Sequence, residues 1–230
     1  MISKMYKDML NARSVIREFA EYAGKRGAEI GYENVFDFSL GNPSVPAPKE
    51  FTEAMIRLLQ NEPASKLHGY SPTLGNPQFK KAVAESLNKR FGMEYKAEHI
   101  FPTSGAAGAL AHAARCVSGE GDEIITFAPF FPEYIPYINH MGSKLLVVPA
   151  NTEDFQINFE KFEEVLSEKT SAILINTPNN PSGISYSAET LSRLASILKA
   201  KQEEYGHEIF ILSDEPYREI TYGVEVPYVP

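Results

Sequence analysis

Beyond Gly92 the hydrophobic residues fall into short apolar runs, separated by longer stretches in which they recur at helical spacing. The apolar runs predict five strands, over residues 99–103, 123–127, 144–148, 171–176 and 208–213. The intervening stretches predict helices over residues 106–117, 158–166 and 188–205. Runs such as AILIN and IFILS are apolar without alternation, which is typical of strands covered on both faces. This order of strands and helices predicts an α/β fold with a mostly parallel sheet and helices on both faces.

Before Gly92 the spacing of apolar residues predicts helices instead of strands. The predicted helices cover the first thirty or so residues, 49–60 and 77–90. Asn76 suits the N-cap of the last of these helices, Pro77 suits its first position, and Gly92 suits its end. A proline-rich segment over residues 36–48 predicts an extended connection.

Composition and charge narrow the possible functions of the chain. It has 230 residues, of which 43% are hydrophobic, and this share is ample for a packed core. The net charge is −8 and there is no basic stripe, so neither a nucleic acid nor a membrane surface is an expected partner. Cys116 is the only cysteine, which predicts no intramolecular disulfide, no thiolate metal site and a reducing, cytoplasmic location.

The residues that follow the predicted strands are the candidates for chemistry, because ligands of open α/β sheets bind beyond the carboxyl ends of the strands. After the first predicted strand, PTSGAAGAL places Ser104, Gly105, Ala106 and Ala107 where a helix begins. Free backbone N–H groups at a helix N-terminus favour an anion. The alternative is that Ser104 only caps the helix while the alanines allow close packing.

Two further strand ends carry an aromatic pair and an asparagine pair. In APFFPEY, two prolines flank Phe130 and Phe131, so an aromatic ring there could stack on a flat cofactor or simply pack in the core. In INTPNNPSG, Asn179 and Asn180 lie between two prolines. They could form a turn or present an amide donor to a ligand.

The last predicted strand ends in a carboxylate. Asp214 in SDEPYREI follows an apolar run, so it is expected to be partly buried and to need a partner. That partner could be Arg218 in a structural salt bridge, or it could be a ligand. Tyr217 follows three residues later. Taken together, the strand ends supply what a phosphorylated, planar, nitrogen-containing cofactor would use.

Six motifs in the chain are similar to those of a known family. They are SLGNPSVPAP, HGYSPTLGNPQFKKAVA, PTSGAAGAL, APFFPEY, NTPNNPSG and SDEPYRE. In this order they resemble the class I/II aminotransferases, the aspartate-aminotransferase-like enzymes of pyridoxal-phosphate (PLP) fold type I. The resemblance implies an N-terminal arm and connection over residues 1–47, belonging to a small domain. It also implies a three-layer PLP-binding large domain over 48–230 that is incomplete at its C-terminus, with no C-terminal small domain.

The resemblance assigns roles around the cofactor ring. It implies that Phe131 stacks on the pyridine ring and that Asp214 pairs with the pyridine nitrogen. Asn180 resembles the amide that hydrogen-bonds the hydroxyl of the ring. The resemblance implies that Asn180 and Tyr217 together tune this ring hydroxyl.

The resemblance also assigns the groups that bind the cofactor phosphate. Gly105, Ala106 and Ala107, following Ser104, correspond to the phosphate loop, and Tyr70 to a tyrosine that reaches the phosphate of the neighbouring subunit. A homodimer is therefore expected.

The substrate side of the site is only partly represented. The resemblance implies that backbone at Gly41 approaches the substrate carboxylate, and it places the lysine that forms the Schiff base beyond Pro230. The expected activity is amino-group transfer from an α-amino acid to a 2-oxo acid. A PLP-dependent lyase or decarboxylase, or a non-catalytic fragment or sensor domain, are the alternatives.

Overall fold

A computed structural model describes Lys4, Lys7 and residues 15–41, 45–139 and 142–230. Contacts between residues divide the chain into two compact units, Met1–Tyr70 and Ser71–Pro230. The predicted boundary between residues 47 and 48 separates the small and large domains that the resemblance implies. It is a different division from that into the two compact units, and it stays a prediction.

The first unit is helical. Helix α1 covers Val15–Ile30 and is followed by a 3₁₀ turn at Tyr32–Asn34, helix α2 at Lys49–Asn61 and the short helix α3 at Ala64–Leu67. Most of the predicted helix before Val15 lies outside the described residues. The predicted helix over 49–60 is confirmed as α2, but none of its residues is buried.

The second unit begins with helix α4, which covers Pro77–Phe91. The Asn76 side chain accepts hydrogen bonds from the backbone N–H groups of Gln78 and Phe79, at 2.9 and 3.2 Å. Gly92 ends the helix in the left-handed conformation, with φ of 68°. The predicted cap and end of this helix are therefore confirmed, and a 3₁₀ turn at Ala97–His99 follows.

The centre of the second unit is a parallel four-stranded sheet. Its strands are β1 (Glu123–Phe127), β2 (Lys144–Val148), β3 (Thr170–Asn176) and β4 (Phe210–Asp214), in the order β2-β1-β3-β4. All three neighbouring pairs are parallel. The helices around the sheet are α5 (Gly105–Val117), α6 (Tyr134–Asn139), α7 (Phe159–Val165) and α8 (Ala188–Tyr205).

Two hydrophobic clusters lie on opposite faces of this sheet. Ile125 and Ile173 belong to a cluster with residues of α7 and α8. Ile124 and Leu174, their neighbours along the strands, belong to a cluster with residues of α5 and α6. Successive strand residues point to opposite faces, so this division produces a layer of helices on each side. The predicted three-layer α/β arrangement is confirmed, and every residue of β3 is buried as its unbroken apolar run predicts.

The prediction of a strand over 99–103 is wrong. Residues 100–103 pair with none of the four described strands. A strand is stable only when its backbone groups find a partner, and Pro102 offers no N–H for one. Phe101 is 60% exposed, so its apolar side chain is not covered by the described residues. The apolar run alone could not predict whether a neighbouring strand would be present.

No described helix is both long enough and apolar enough to cross a membrane.

Candidate functional site

A cavity of about 220 Å³ opens in the second unit, and its lining includes Asn176 and Asp214, the last residues of β3 and β4. Six of the sequence-predicted site residues line it, namely Ala106, Ala107, Phe131, Asn180, Asp214 and Tyr217. The remaining lining residues are Leu110, Tyr137, Asn176 and Pro216. Residues from four separate strand ends and loops therefore meet at one place, as expected for the carboxyl edge of a parallel sheet.

Ser104 and Gly105 precede the two lining alanines at the start of α5. Gly105 has φ of 77°, a left-handed conformation that glycine adopts without steric cost. Ser104 occupies the N-cap position but makes no side-chain capping hydrogen bond. The interpretation of Ser104 as only a helix cap is therefore not supported. The first N–H groups of α5 have no intrahelical acceptor, and those of Ala106 and Ala107 belong to residues that line the cavity.

Asp214 ends β4, where it lies in register with Asn176 of β3. Its carboxylate Oδ2 accepts a hydrogen bond from the Tyr134 hydroxyl at 2.6 Å. Burial raises the pKa of Asp214, the hydrogen bond from Tyr134 lowers it, and the nearby charge of Glu215 raises it, with a net upward shift. A partly buried carboxyl group of this kind is typical of functional sites.

The alternative partner for Asp214, a salt bridge with Arg218, is not what the structure has. Arg218 Nε donates to Glu215 Oε2 at 2.6 Å. Its two terminal nitrogens donate to the backbone carbonyls of Val226 and Pro227, at 3.0 and 2.8 Å. Because the guanidinium binds these other groups, the carboxylate of Asp214 is hydrogen-bonded by Tyr134 and lines the cavity.

Sequence reasoning missed Tyr134. It is the first residue of α6 and is completely buried. Its ring lies edge-on to Phe131, with ring centroids 5.8 Å apart, and nearly parallel to Phe130 at 6.3 Å. The signal was present in APFFPEY, because a tyrosine three residues after Phe131 can return to the same side of the chain where a helix begins.

Asn176, another polar residue that was missed, connects two strand ends and a loop. Its Nδ2 donates to the backbone carbonyl of Asp214 at 2.8 Å, and its Oδ1 accepts from the backbone N–H of Asn180 at 2.6 Å. Asn180 Nδ2 in turn donates to the Tyr217 hydroxyl at 3.3 Å. Four of the cavity's polar residues are thus held in one network. Asn176 was missed because it closes an apolar run and was counted with the strand.

The two asparagines of the NN pair have different roles. Asn179 Oδ1 accepts hydrogen bonds from the backbone N–H and the hydroxyl of Ser182, at 3.0 and 2.7 Å. Asn179 therefore forms the turn, while Asn180 presents its side chain to the cavity. The interpretation as a turn is confirmed for Asn179, and the role of Asn180 as an amide donor to a ligand stays a prediction.

Gly41 and Tyr70 belong to the unit Met1–Tyr70, and their implied roles stay predictions. Tyr70 is fully exposed, and apart from Gly41 and its two chain neighbours no described atom lies within 4 Å of the position that a Cβ would take at Gly41.

The cavity combines free N–H groups at a helix start, an aromatic wall, an amide, a phenol and a carboxylate. These groups suit a planar ring that carries an anionic substituent and a basic nitrogen. Among the described residues, no group of three or more His, Cys, Asp or Glu side chains could hold a metal ion.

Comparison with known proteins identifies the family. The model of the family "Aminotransferase class I and II" matches residues 33–229, and the chain belongs to this family. A probable aspartate/prephenate aminotransferase of Aquifex aeolicus is 35% identical over 191 residues, which cover 83% of this chain and 46% of that protein. An aspartate aminotransferase of Thermotoga maritima is 31% identical over 194 residues, covering 84% of this chain and 49% of that protein.

Solved structures agree with this assignment. An amino transferase from Eubacterium rectale superimposes with a TM-score of 0.94 at 43% identity, covering 99% of this chain and 58% of that chain. The aspartate aminotransferase structure from Thermotoga maritima gives a TM-score of 0.86 at 29% identity, covering 99% of this chain and 57% of that chain. The predicted family and fold are therefore confirmed. The chain spans about half the length of the curated relatives it matches.

Proposed function

We propose that the protein binds pyridoxal 5′-phosphate in the described cavity and takes part in amino-group transfer from an α-amino acid to a 2-oxo acid. The observation that carries this proposal is the meeting of six sequence-predicted cofactor residues around one cavity. The similar proteins named above are aminotransferases, which favours transfer over the lyase and decarboxylase alternatives. Because the chain spans about half the length of these relatives, the activity is proposed for the whole protein.

The ring of the cofactor would lie between groups that fix its orientation. Phe131 supplies an aromatic wall, Asn180 and Tyr217 supply a coupled amide and phenol for the ring hydroxyl, and Asp214 faces the ring nitrogen. When bound, the cofactor supplies an electron sink for the carbanion that forms at the substrate α-carbon. The Asp214 carboxylate supports this chemistry because an adjacent anion holds a proton on the ring nitrogen.

The phosphate would bind at the start of α5. Backbone N–H groups of Ala106 and Ala107 lie in the first turn without an intrahelical acceptor, whereas the Gly105 N–H donates to the Thr103 carbonyl at 3.0 Å. The dipole of this 13-residue helix favours an anion there. The hydroxyl of Ser104 is not used as a cap and can add a further donor.

Three finer assignments complete the proposal. The backbone at Gly41 would approach the substrate carboxylate, and Tyr70 would reach the phosphate of a neighbouring subunit in a homodimer. The full exposure of Tyr70 is compatible with a role outside its own unit. A cytoplasmic location is supported by the single cysteine. Sedimentation equilibrium tests the dimer: a mass that stays at one chain at all concentrations would contradict it.

Ligand binding by the chain tests the cofactor proposal. Pyridoxamine 5′-phosphate is the suitable probe, because it has no aldehyde and its affinity reports on the cavity alone. We expect the 230-residue chain to bind it at one site by calorimetry. Asp214→Asn should weaken the affinity by roughly tenfold or more, because a charge-assisted hydrogen bond is lost.

Glu203→Gln is the matched control, since this exposed carboxylate lies on α8 near the opposite end of the sheet. Equal affinities of wild type and both variants, or no binding by the wild-type chain, would contradict the proposed function.

A further inference from the structure

We propose that Tyr134 is a positioning residue for this reaction: its hydroxyl holds one carboxylate oxygen of Asp214 and leaves the other oxygen for the ring nitrogen of the cofactor. The inference rests on the proposed function, because it deepens the role given there to Asp214. It concerns a residue that none of the six family motifs singled out for a role.

The contact joins two distant parts of the chain. Tyr134 begins α6 and Asp214 ends β4, yet Tyr134 Oη lies 2.6 Å from Asp214 Oδ2. Tyr134 is 0% exposed, and its ring lies nearly parallel to that of Phe130 and edge-on to that of Phe131. A ring enclosed in this way has one orientation, so its hydroxyl is a fixed donor instead of a mobile one.

The hydrogen bond from Tyr134 gives the two carboxylate oxygens of Asp214 different roles: Oδ2 binds Tyr134, and Oδ1 remains for a ligand. Among the hydrogen bonds within the described chain, the carboxylate accepts one, and it does so at Oδ2. Oδ1 accepts no hydrogen bond from the side chains or backbone of the described residues, whereas Oδ2 is held by Tyr134. Because Asp214 lines the cavity, Oδ1 is the oxygen available to an N–H donor that enters it.

The protonation states favour the same arrangement. Burial, followed by the hydrogen bond and charge of Asp214, raises the pKa of Tyr134 far above the ordinary value of a phenol. Tyr134 therefore keeps its proton and can only donate to an ionised Asp214. For Asp214, burial raises the pKa, and the hydrogen bond from Tyr134 is the cause that acts in the opposite direction. Without this hydroxyl, the pKa of Asp214 would be higher, so on acidification the carboxylate would be protonated at a higher pH.

A second tyrosine on the same helix provides a matched comparison. Tyr137 lies one helical turn beyond Tyr134 and lines the cavity, but the hydrogen bond to Asp214 comes from Tyr134. Tyr134→Phe and Tyr137→Phe remove the same atom from the same helix and keep both rings in place. The difference between them isolates the hydrogen bond from general effects of deleting a hydroxyl.

The first experiment is a titration of Asp214 in the ligand-free chain. Carbon-13 NMR follows the side-chain carboxyl groups of labelled aspartates, and the signal of Asp214 is identified by its loss in Asp214→Asn. We expect Asp214 to titrate at a higher pH in Tyr134→Phe than in the wild type, and at the wild-type pH in Tyr137→Phe. Identical titrations in the wild type and Tyr134→Phe would overturn the inference.

The second experiment measures the affinity for pyridoxamine 5′-phosphate as a function of pH. In Tyr134→Phe we expect a loss of roughly tenfold at neutral pH, because the carboxylate that meets the ring nitrogen is less well held. The decline of affinity on acidification should also begin at a higher pH than in the wild type. Adding Tyr134→Phe to Asp214→Asn should cost little more, because Tyr134 acts through Asp214.

The outcomes separate this inference from the proposed function. Binding by the wild type with an unchanged affinity and pH profile in Tyr134→Phe overturns the inference alone. If the losses of affinity in Tyr134→Phe and Asp214→Asn add fully in the double variant, the inference is also overturned. This comparison can be used even if Tyr134→Phe lowers the stability of the chain. Absence of binding by the wild-type chain overturns the proposed function, and the cofactor role of Tyr134 with it.

Discussion

The two units of the chain bury their apolar residues to very different degrees. In Ser71–Pro230, the strands and helices share two hydrophobic clusters whose central members are almost completely buried. In Met1–Tyr70, Gly27 is the only described residue that is buried, and α2 exposes Phe51, Met55 and Leu59. Both units have amphipathic helices. The difference teaches that an apolar stripe predicts which face of a helix can be covered, while only the surrounding chain decides whether it is.

The largest expected contrast comes from shortening one phenylalanine in each unit. Phe162 is 0% exposed in the core of the second unit, whereas Phe51 is 61% exposed on α2. We expect Phe162→Ala to lower the free energy of unfolding by about 3–5 kcal/mol, because it removes buried apolar surface and leaves a cavity. Phe51→Ala should change it by less than about 0.5 kcal/mol. Urea unfolding measures both, and similar losses at the two positions would break the comparison.

A smaller effect is expected at the helix starts. Asn76 caps α4 with its side chain, so Asn76→Ala should cost about 1 kcal/mol. Helix α2 has Pro48 at its N-cap and no side-chain capping bond. Its backbone there has φ of −53° and ψ of 140°, close to that of a capping residue, so Pro48→Ser should stabilise α2 by a fraction of 1 kcal/mol.

Thermal unfolding followed by circular dichroism measures both variants. A loss of stability in Pro48→Ser would show that Pro48 stabilises the folded chain by more than a serine cap would.

The smallest expected effect concerns the site itself. The folded-state pKa of Asp214 lies above its unfolded value, mainly because the carboxyl group is buried. The folded chain therefore holds this proton more tightly. The resulting stability is present below the unfolded pKa and is lost as the pH rises through the folded one.

Asp214→Asn, which cannot ionise, should consequently be slightly more stable than the wild type at pH 7. The advantage should disappear on acidification to the ordinary pKa range of an aspartate. Urea midpoints across this pH range measure the effect, with Glu203→Gln as the control. A variant that is less stable at pH 7 would contradict the sign of the shift.

Much of the fold could be predicted because its signals are local. The runs that became β1, β2 and β3 are short and apolar, and their bounds agree with the structure to within one residue. The segment 99–103 has a similar run but no strand, because pairing depends on a neighbour that is distant in sequence. The short helix α6 was not predicted, since Pro132 and Pro136 interrupt any periodic pattern there.

The residues of the site that directly follow the ends of strands could be predicted from the sequence. Asp214 and Asn180 were found because polar residues are unexpected directly after buried strands. Tyr134 and Asn176 were missed because an aromatic residue and a strand-terminal asparagine both have ordinary structural explanations. Their importance comes from hydrogen bonds to residues that are 80 and 38 positions away in the sequence, and no local pattern contains these distances.

Arg218 has a consequence for ligand binding although it does not line the cavity. Its bonds to Glu215 and to the carbonyls of Val226 and Pro227 close the chain into a loop directly after Tyr217. The rings of Phe91 and Tyr228, stacked at 4.1 Å, both lie near its guanidinium. A loop tied in this way has already lost its conformational entropy before a ligand arrives. The segment from Asp214 to Tyr217 is therefore preorganised, and little of a ligand's binding energy is needed to order it.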